Sequence, residues 1–502
     1  MSRRGGVVSS YILLAVEVVS SLLFTPFLIR SLGQAEFGLY SLVASITAYF
    51  LLLDAGVGNA LVRYVAMYRV QNDLEQQRKL LGLSLLFYGA MAGVTVLLGL
   101  QLLQNLSSVF GKGLTVEELQ LARTLLSITV FNAGATLVIG AFTRTIVAYE
   151  RFVLSKSLAI VKLLLRVVIL IALLSMGYGA VAVVTVNLAL TLALGAVSAY
   201  YVLFVLELRP RFSGMQFSFL REILGYSVFI VIQMIATQIN SMADQILLGI
   251  MTSSAIIAVY AVGAQISVYF QSIAASINGV LMPGVVRMVE IGTSPDKLLS
   301  EMVKIGRIVF MILGLIVTGF AVVGESFVKL WVGDEYSEAY WVGLILMAAL
   351  LLYLTQSIGT QVLWAMGRHK VQAILKICVA VANIGLTVLF IQWQPLVGAA
   401  LATATAYLVG DVAVMNVVFS RSIGISMKDY YRGLFAGILP SLMIVALVGA
   451  LVGLLGLQGW TGLVVEGSSM LMVYAVCMFA FGMNSYEKSL VKSFARDTGM
   501  RS

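Results

Sequence analysis

"LGQAEFGLYSLVASITAYFLLLDAGVGNALVR", residues 32–63, decides how this chain is read. Between Tyr40 and Leu53 only Ser, Thr and Tyr interrupt an apolar run. The run then passes through Asp54, Gly56, Gly58 and Asn59 to Arg63. A charge at the centre of a membrane-spanning helix costs about 2.5–3.5 kcal/mol even on lenient insertion scales. Arg63 falls at the inner end of such a span (37–62), whereas Asp54 lies deep inside it. A membrane helix that keeps such a residue has a use for it.

The remainder of the chain supports the membrane reading. Of 502 residues, 60% are hydrophobic and 11% charged, with a mean hydropathy of +1.01. Soluble domains carry about 25% charged residues. Apolar runs of about 20 residues, enough to cross a hydrocarbon core of about 30 Å, recur about every 36 residues. The expected fold is therefore all-α and integral to the membrane, with fourteen transmembrane helices. The net charge of +9 reports topology and not nucleic acid. All but Arg30, Lys112, Arg123 and Lys329 of the 32 Lys and Arg fall in inner loops, tails or inner halves of spans, which puts both termini in the cytoplasm. "MSRRGG" at the start resembles a twin-arginine signal only superficially, and the long run after it reads as an uncleaved first helix. Cys378 and Cys477 lie within spans and give no disulfide signal; His369 is the single histidine. That composition argues against a His/Cys metal cluster and against His-dependent catalysis. No P-loop of the form GxxxxGK[ST] is present, and nothing points to a cofactor.

"ELRPRFSGMQFSFLREI" (207–223) is amphipathic and reads as a linker between two halves. Sliding the sequence by 220 residues aligns Tyr40 with Tyr260, Tyr49 with Tyr269 and Phe50 with Phe270; "AIVK" (159–162) is echoed by "AILK" (373–376) at a slightly different offset. A displacement of six helices preserves direction, so these are parallel repeats. The expected organisation is two pseudo-symmetric six-helix lobes, 1–206 and 223–433, joined by the cytoplasmic linker 207–222. Two further helices (434–483) and a cytoplasmic tail (484–502) follow.

Polar residues at i+3 and i+4 mark one face of a helix. Span 7 has Gln233, Thr237, Asn240, Ser241 and Asp244; span 8 has Gln265, Tyr269, Ser272 and Ser276. Span 2 has Ser45, Tyr49, Gly56, Asn59 and Arg63, and span 1 has Glu17, Ser20, Ser21 and Thr25 before Pro26. These stripes either line a central water-filled cavity or bridge packed helices. Arg63, Arg166, Lys162 and Lys376 are the basic candidates for an anionic ligand, a phosphate above all. Lys162 and Lys376 equally suit snorkelling to inner headgroups, and Lys376 equally suits a structural pair with Asp411. Asp54 lies off the stripe: it caps or pairs with a neighbouring helix, or is a proton or cation site.

Residues 32–63 resemble the first hairpin of the bacterial polysaccharide-transport proteins, the Wzx-type oligosaccharide (O-antigen repeat-unit) flippases of the multidrug/oligosaccharidyl-lipid/polysaccharide exporter superfamily. The residues that carry the resemblance are Leu32, Gly33, Glu36, Phe37, Gly38 and Tyr40 at the outer turn, and "LDAGVG" (Leu53–Gly58) in span 2. It implies a flippase, and not an enzyme, that moves an undecaprenyl-diphosphate-linked oligosaccharide across the bacterial inner membrane for surface polysaccharide such as lipopolysaccharide. Alternating access of two lobes would carry the head group through. In that picture Arg63, Arg166, Lys162 and Lys376 hold the diphosphate, while Tyr49, Asn59, Gln233, Asn240, Gln265 and Tyr269 meet the sugars. Glu17, Asp54 and Asp244 are candidates for ion coupling. The implied partners are the lipid-linked oligosaccharide, membrane lipids and the polymerase machinery, with the protein acting as a monomer. Span 1 carries Glu17 as its only central charge, which departs from the arginine-rich peptidoglycan-precursor flippases of the superfamily. The competing reading is a Na⁺- or H⁺-coupled exporter of drugs or organic cations, in which the acidic residues form the site.

Overall fold

In a computed structural model, residues 3–54, 56–213 and 217–491 are described; they form helices and turns, with no strand among them. Among the described residues, ten helices are long and apolar enough to cross a membrane, or up to twelve if each of two bent pairs counts as one span. The chain divides into two compact units, Met1–Ala261 and Val262–Ser502. The expected linker 207–222 lies inside the first unit. Its start is tied down there: the Arg211 amide donates to the Arg78 carbonyl at 3.0 Å, and Leu208 is fully buried. Residues 214–216 and 492–502, parts of the expected linker and tail, lie outside the described residues.

The first unit opens with α1 (Arg3–Phe50), broken at Gly33, whose φ of 72° is open to glycine at no steric cost. A 3₁₀ turn (Leu51–Asp54) and Gly56, at φ 71°, then interrupt the expected second span before α2 (Val57–Val70). There follow α3 (Leu74–Phe110), α4 (Val116–Ala148), α5 (Phe152–Ser175), α6 (Ala180–Tyr200) and α7 (Phe217–Met251). The start of α8 (Ser254–Glu290) completes the unit. Polar residues at helix starts satisfy amides that have no helical partner. Asp73 accepts from the Gln76 amide, and Thr115 and Glu118 form a reciprocal box. Glu36 reaches across to accept from the Ala180 amide at 2.8 Å, so it caps α6. A Cβ on Gly38 would sit 1.9 Å from the Ser254 carbonyl oxygen, so only glycine lets α1 and the α7–α8 turn approach. Gly33, Glu36 and Gly38 are thus a break, a cap and a close approach.

The second unit takes the rest of α8 and continues through α9 (Pro295–Val332), α10 (Ala339–Thr355), α11 (Ser357–Ala365), α12 (His369–Ile391) and α13 (Pro395–Ala406). After a π-helical stretch (Tyr407–Val414) come α14 (Met415–Ser422), α15 (Met427–Phe435), α16 (Ile438–Gly453) and α17 (Gly459–Cys477). The α10–α11 pair bends by 41° and the α15–α16 pair by 42°. At the second bend Gly437 has φ 75° and packs against the Phe481 carbonyl, where a Cβ would come within 2.5 Å. Arg307 of α9 stabilises that bend. Its guanidinium donates to the carbonyls of Gly433, Ala436 and Gly482 and to both oxygens of Glu487, at 2.6–3.0 Å.

Candidate functional site

The break in the second span decides where Asp54 points. A continuous α-helix would carry it past α3 and α4 at a fixed angle. The 3₁₀ turn and the left-handed Gly56 instead set its carboxylate between those helices. Oδ1 accepts from the Tyr88 hydroxyl at 2.6 Å, and Oδ2 lies 3.7 Å from Nη2 of Arg144. Gly58 completes the arrangement, since a Cβ there would sit 2.7 Å from the Arg144 Nε. The "LDAGVG" stretch therefore supplies a carboxylate, a turn and a slot for a guanidinium.

Asp54 and Arg144 line a cavity of about 670 Å³ within the first unit, walled by α4, α5 and α6. Lys156 and Lys162 of α5 line it as well, with Thr143 of α4 and Thr191 of α6. Lys162 Nζ donates to the Thr191 hydroxyl at 2.9 Å. Among the described residues neither Lys156 nor Lys162 has a carboxylate partner. Three cations therefore share one space with one carboxylate. Volume of this order suits a small-molecule head group, and its charge suits an anion.

The other expected residues are dispersed. Arg166, one turn beyond Lys162, donates to the Tyr40 hydroxyl at 3.4 Å. Arg63 is exposed on α2, with its guanidinium 5.8 Å from the Tyr64 ring centroid. Asn59 and Glu17 are exposed; Tyr49 and Gln233 are half-buried. Span 7 splits: Thr237 and Ser241 are exposed, while Asn240 and Asp244 are buried, with Asp244 accepting from the Tyr260 hydroxyl. Gln265 and Tyr269 are half-buried in the second unit. Lys376 also lies there, fully engaged: its ammonium is 2.6 Å from Asp411 and 4.7 Å from the Tyr353 ring centroid.

Arg144 and Lys156 escaped the sequence reading because each sits at the edge of an apolar run, where a basic residue counts toward topology. The signal was periodic. Thr136, Gly140 and Thr143 on α4, and Ser155, Ala159 and Lys162 on α5, recur at i, i+4 and i+7, and all six line the cavity.

A sequence model of the family described as polysaccharide biosynthesis protein matches residues 7–289. The "Uncharacterized membrane protein EpsK" of Bacillus subtilis (strain 168) is 20% identical over 497 residues, 96% of each chain. Among solved structures, "Lipid II flippase MurJ, inward closed conformation" is similar with a TM-score of 0.70 at 14% identity, covering 94% of this chain and 97% of that one. An inward-facing multidrug resistance MATE family transporter of the MOP superfamily has a TM-score of 0.61 at 16% identity, covering 82% and 95%. At such identities these likenesses speak to fold, and the proteins that share it are a flippase and a transporter.

Proposed function

The chain belongs to the polysaccharide biosynthesis protein family, and from that premise we propose that it is a flippase for an undecaprenyl-diphosphate-linked oligosaccharide repeat unit. The cavity with Arg144, Lys156 and Lys162 is the observation that carries the reading. A diphosphate and its sugars cannot cross hydrocarbon unaided, whereas a polyprenyl tail stays in lipid. Three cations against one carboxylate give the diphosphate a place to leave water. Arg166 extends the basic line by one turn along α5, and exposed Arg63 meets the head group on entry. Tyr49, Asn59, Gln233, Asn240, Gln265 and Tyr269 remain the proposed sugar contacts. Lys376, held by Asp411, serves structure in this reading. Fourteen crossings with both termini in the cytoplasm of a bacterial inner membrane complete it. The stretch Val16–Val70, 55 residues long and broken at Gly33 and before α2, is long enough at 1.5 Å per residue to supply two of them, and Phe217–Met251 another.

Reconstitution in liposomes tests the proposal. Wild type is expected to translocate a fluorescent undecaprenyl-diphosphate oligosaccharide, and Lys156→Ala/Lys162→Ala to lose that movement while remaining folded. No movement by wild type, together with gradient-driven efflux of a cationic dye blocked by Asp54→Asn or Asp244→Asn, would establish the coupled exporter instead.

A further inference from the structure

Arg144 is held unlike an arginine with a structural duty. A guanidinium offers five donors in a planar fork, yet among the described residues its one polar contact is Oδ2 of Asp54, at 3.7 Å. That is an ion contact too long to be a hydrogen bond. Its side chain is 44% exposed, on the wall of the cavity. It also lies over Gly58, in the first turn of α2, where the positive end of the helix opposes a cation and favours an anion. Asp54 does not depend on Arg144 in return. Its other oxygen is fixed by Tyr88, whose side chain is fully buried. One partner is anchored and the other is tethered by charge alone.

We infer that Asp54 is an internal stand-in for a ligand phosphate: a diphosphate entering the cavity takes the Arg144 guanidinium from Asp54, and Arg144 returns to Asp54 when the diphosphate leaves. The inference deepens the proposed function and rests on it. A transporter has to release what it binds, so affinity has to stay moderate. An anchored carboxylate beside the site lowers affinity in two ways. It competes for the guanidinium, and it repels the incoming anion. Lys156 and Lys162, with no carboxylate partner among the described residues, supply the constant attraction. Arg144 supplies the part that is exchanged. The slot at Gly58 lets the guanidinium lie close enough to α2 to make the exchange without moving the backbone.

The experiment titrates the full-length protein in nanodiscs with inorganic pyrophosphate and with farnesyl diphosphate by calorimetry. Asp54→Asn keeps the Tyr88 hydrogen bond and removes the charge, and it is expected to tighten binding about tenfold. Asp54→Glu reaches further, closes the ion contact to a hydrogen bond and is expected to weaken binding about threefold. Adding Arg144→Gln to Asp54→Asn is expected to erase most of the gain, which places it on this pair. Opposite shifts from Asn and Glu are a signature that a purely structural Asp54 would not give. If Asp54→Asn melts before it can be titrated, the Glu variant carries the test alone, and unchanged or tighter binding overturns the inference. Unchanged or weaker affinity in a folded Asp54→Asn overturns it too. When wild type binds and Lys156→Ala/Lys162→Ala does not, such a result leaves the anion site standing and only the exchange falls. No binding of either probe by wild type and by Asp54→Asn overturns both. A gain with both probes makes the diphosphate itself the recognised group, a gain with farnesyl diphosphate alone makes it the lipid-borne form, and either supports the exchange.

Discussion

Lys162 and Lys376 close the echoing tetrapeptides "AIVK" and "AILK", yet they live in different electrostatic surroundings. In the first unit Lys162 lines an accessible cavity and donates to one hydroxyl. In the second unit Lys376 is 7% exposed and paired with Asp411, which is 4% exposed. The two arginines repeat the contrast. Arg307 spends its guanidinium on five oxygens, while Arg144 touches one at long range. Arg307 and Lys376 are neutralised inside the second unit, whereas Arg144, Lys156 and Lys162 of the first line a cavity with one carboxylate among them. In water-poor surroundings an unpaired cation is costly, so availability is worth keeping only where an anion arrives.

That contrast can be broken by measuring stability and transport on matched variants. The largest effect is expected for Arg307→Met. Removing it strands a buried Glu487 and leaves three carbonyls without their donor, so melting should report a loss of at least about 3–5 kcal/mol. Arg144→Met should cost within about 1 kcal/mol, the range of an exposed ion pair, and should nevertheless abolish most translocation. Equal stability losses at the two arginines would erase the distinction between the units.

Lys376→Met comes next, at about 3–5 kcal/mol, because it leaves the Asp411 carboxylate buried and alone. Adding Asp411→Leu should recover most of that loss, as measured by melting of the double variant. Lys162→Met should cost about 1 kcal/mol, one hydrogen bond to a hydroxyl, with its main effect on transport. A Lys376→Met/Asp411→Leu protein that is stable but inactive would give Lys376 a part in transport and sharpen the comparison differently.

The smaller effects lie within the first unit. Tyr88→Phe removes a 2.6 Å hydrogen bond to a carboxylate and should lower stability by about 1.5–3 kcal/mol, the range for charged acceptors. Tyr40→Phe loses only the 3.4 Å contact with Arg166 and should fall within about 0.5 kcal/mol.

Much of the fold is legible in the amino-acid sequence. Apolar runs set the membrane class, because hydrocarbon tolerates only helices with internally satisfied backbones here. The span expected over 37–62 runs through "LDAGVG", but the structure breaks it there with a 3₁₀ turn and Gly56 at φ 71°. The Lys376–Asp411 pairing is available as one reading of two charges in neighbouring spans. The site is less legible. Arg63 and Arg166 look like ligands by position, while Arg144 and Lys156 look like topology markers, because a one-dimensional count cannot tell a loop cation from one turned into a cavity.

The expected span 37–62 runs unbroken through Asp54; the amino-acid order alone establishes a polytopic helical protein, glycines beside that residue and polar spacing along its helices. Those are local properties, set by hydropathy, by backbone freedom at glycine and by helical spacing. Only the tertiary structure decided which charges cancel. Asp54 meets Arg144 across 90 positions, and Lys376 meets Asp411 on the π-helical stretch between α13 and α14. Near-identical tetrapeptides end in an available cation and a neutralised one because the carboxylate that makes the difference arrives on another helix.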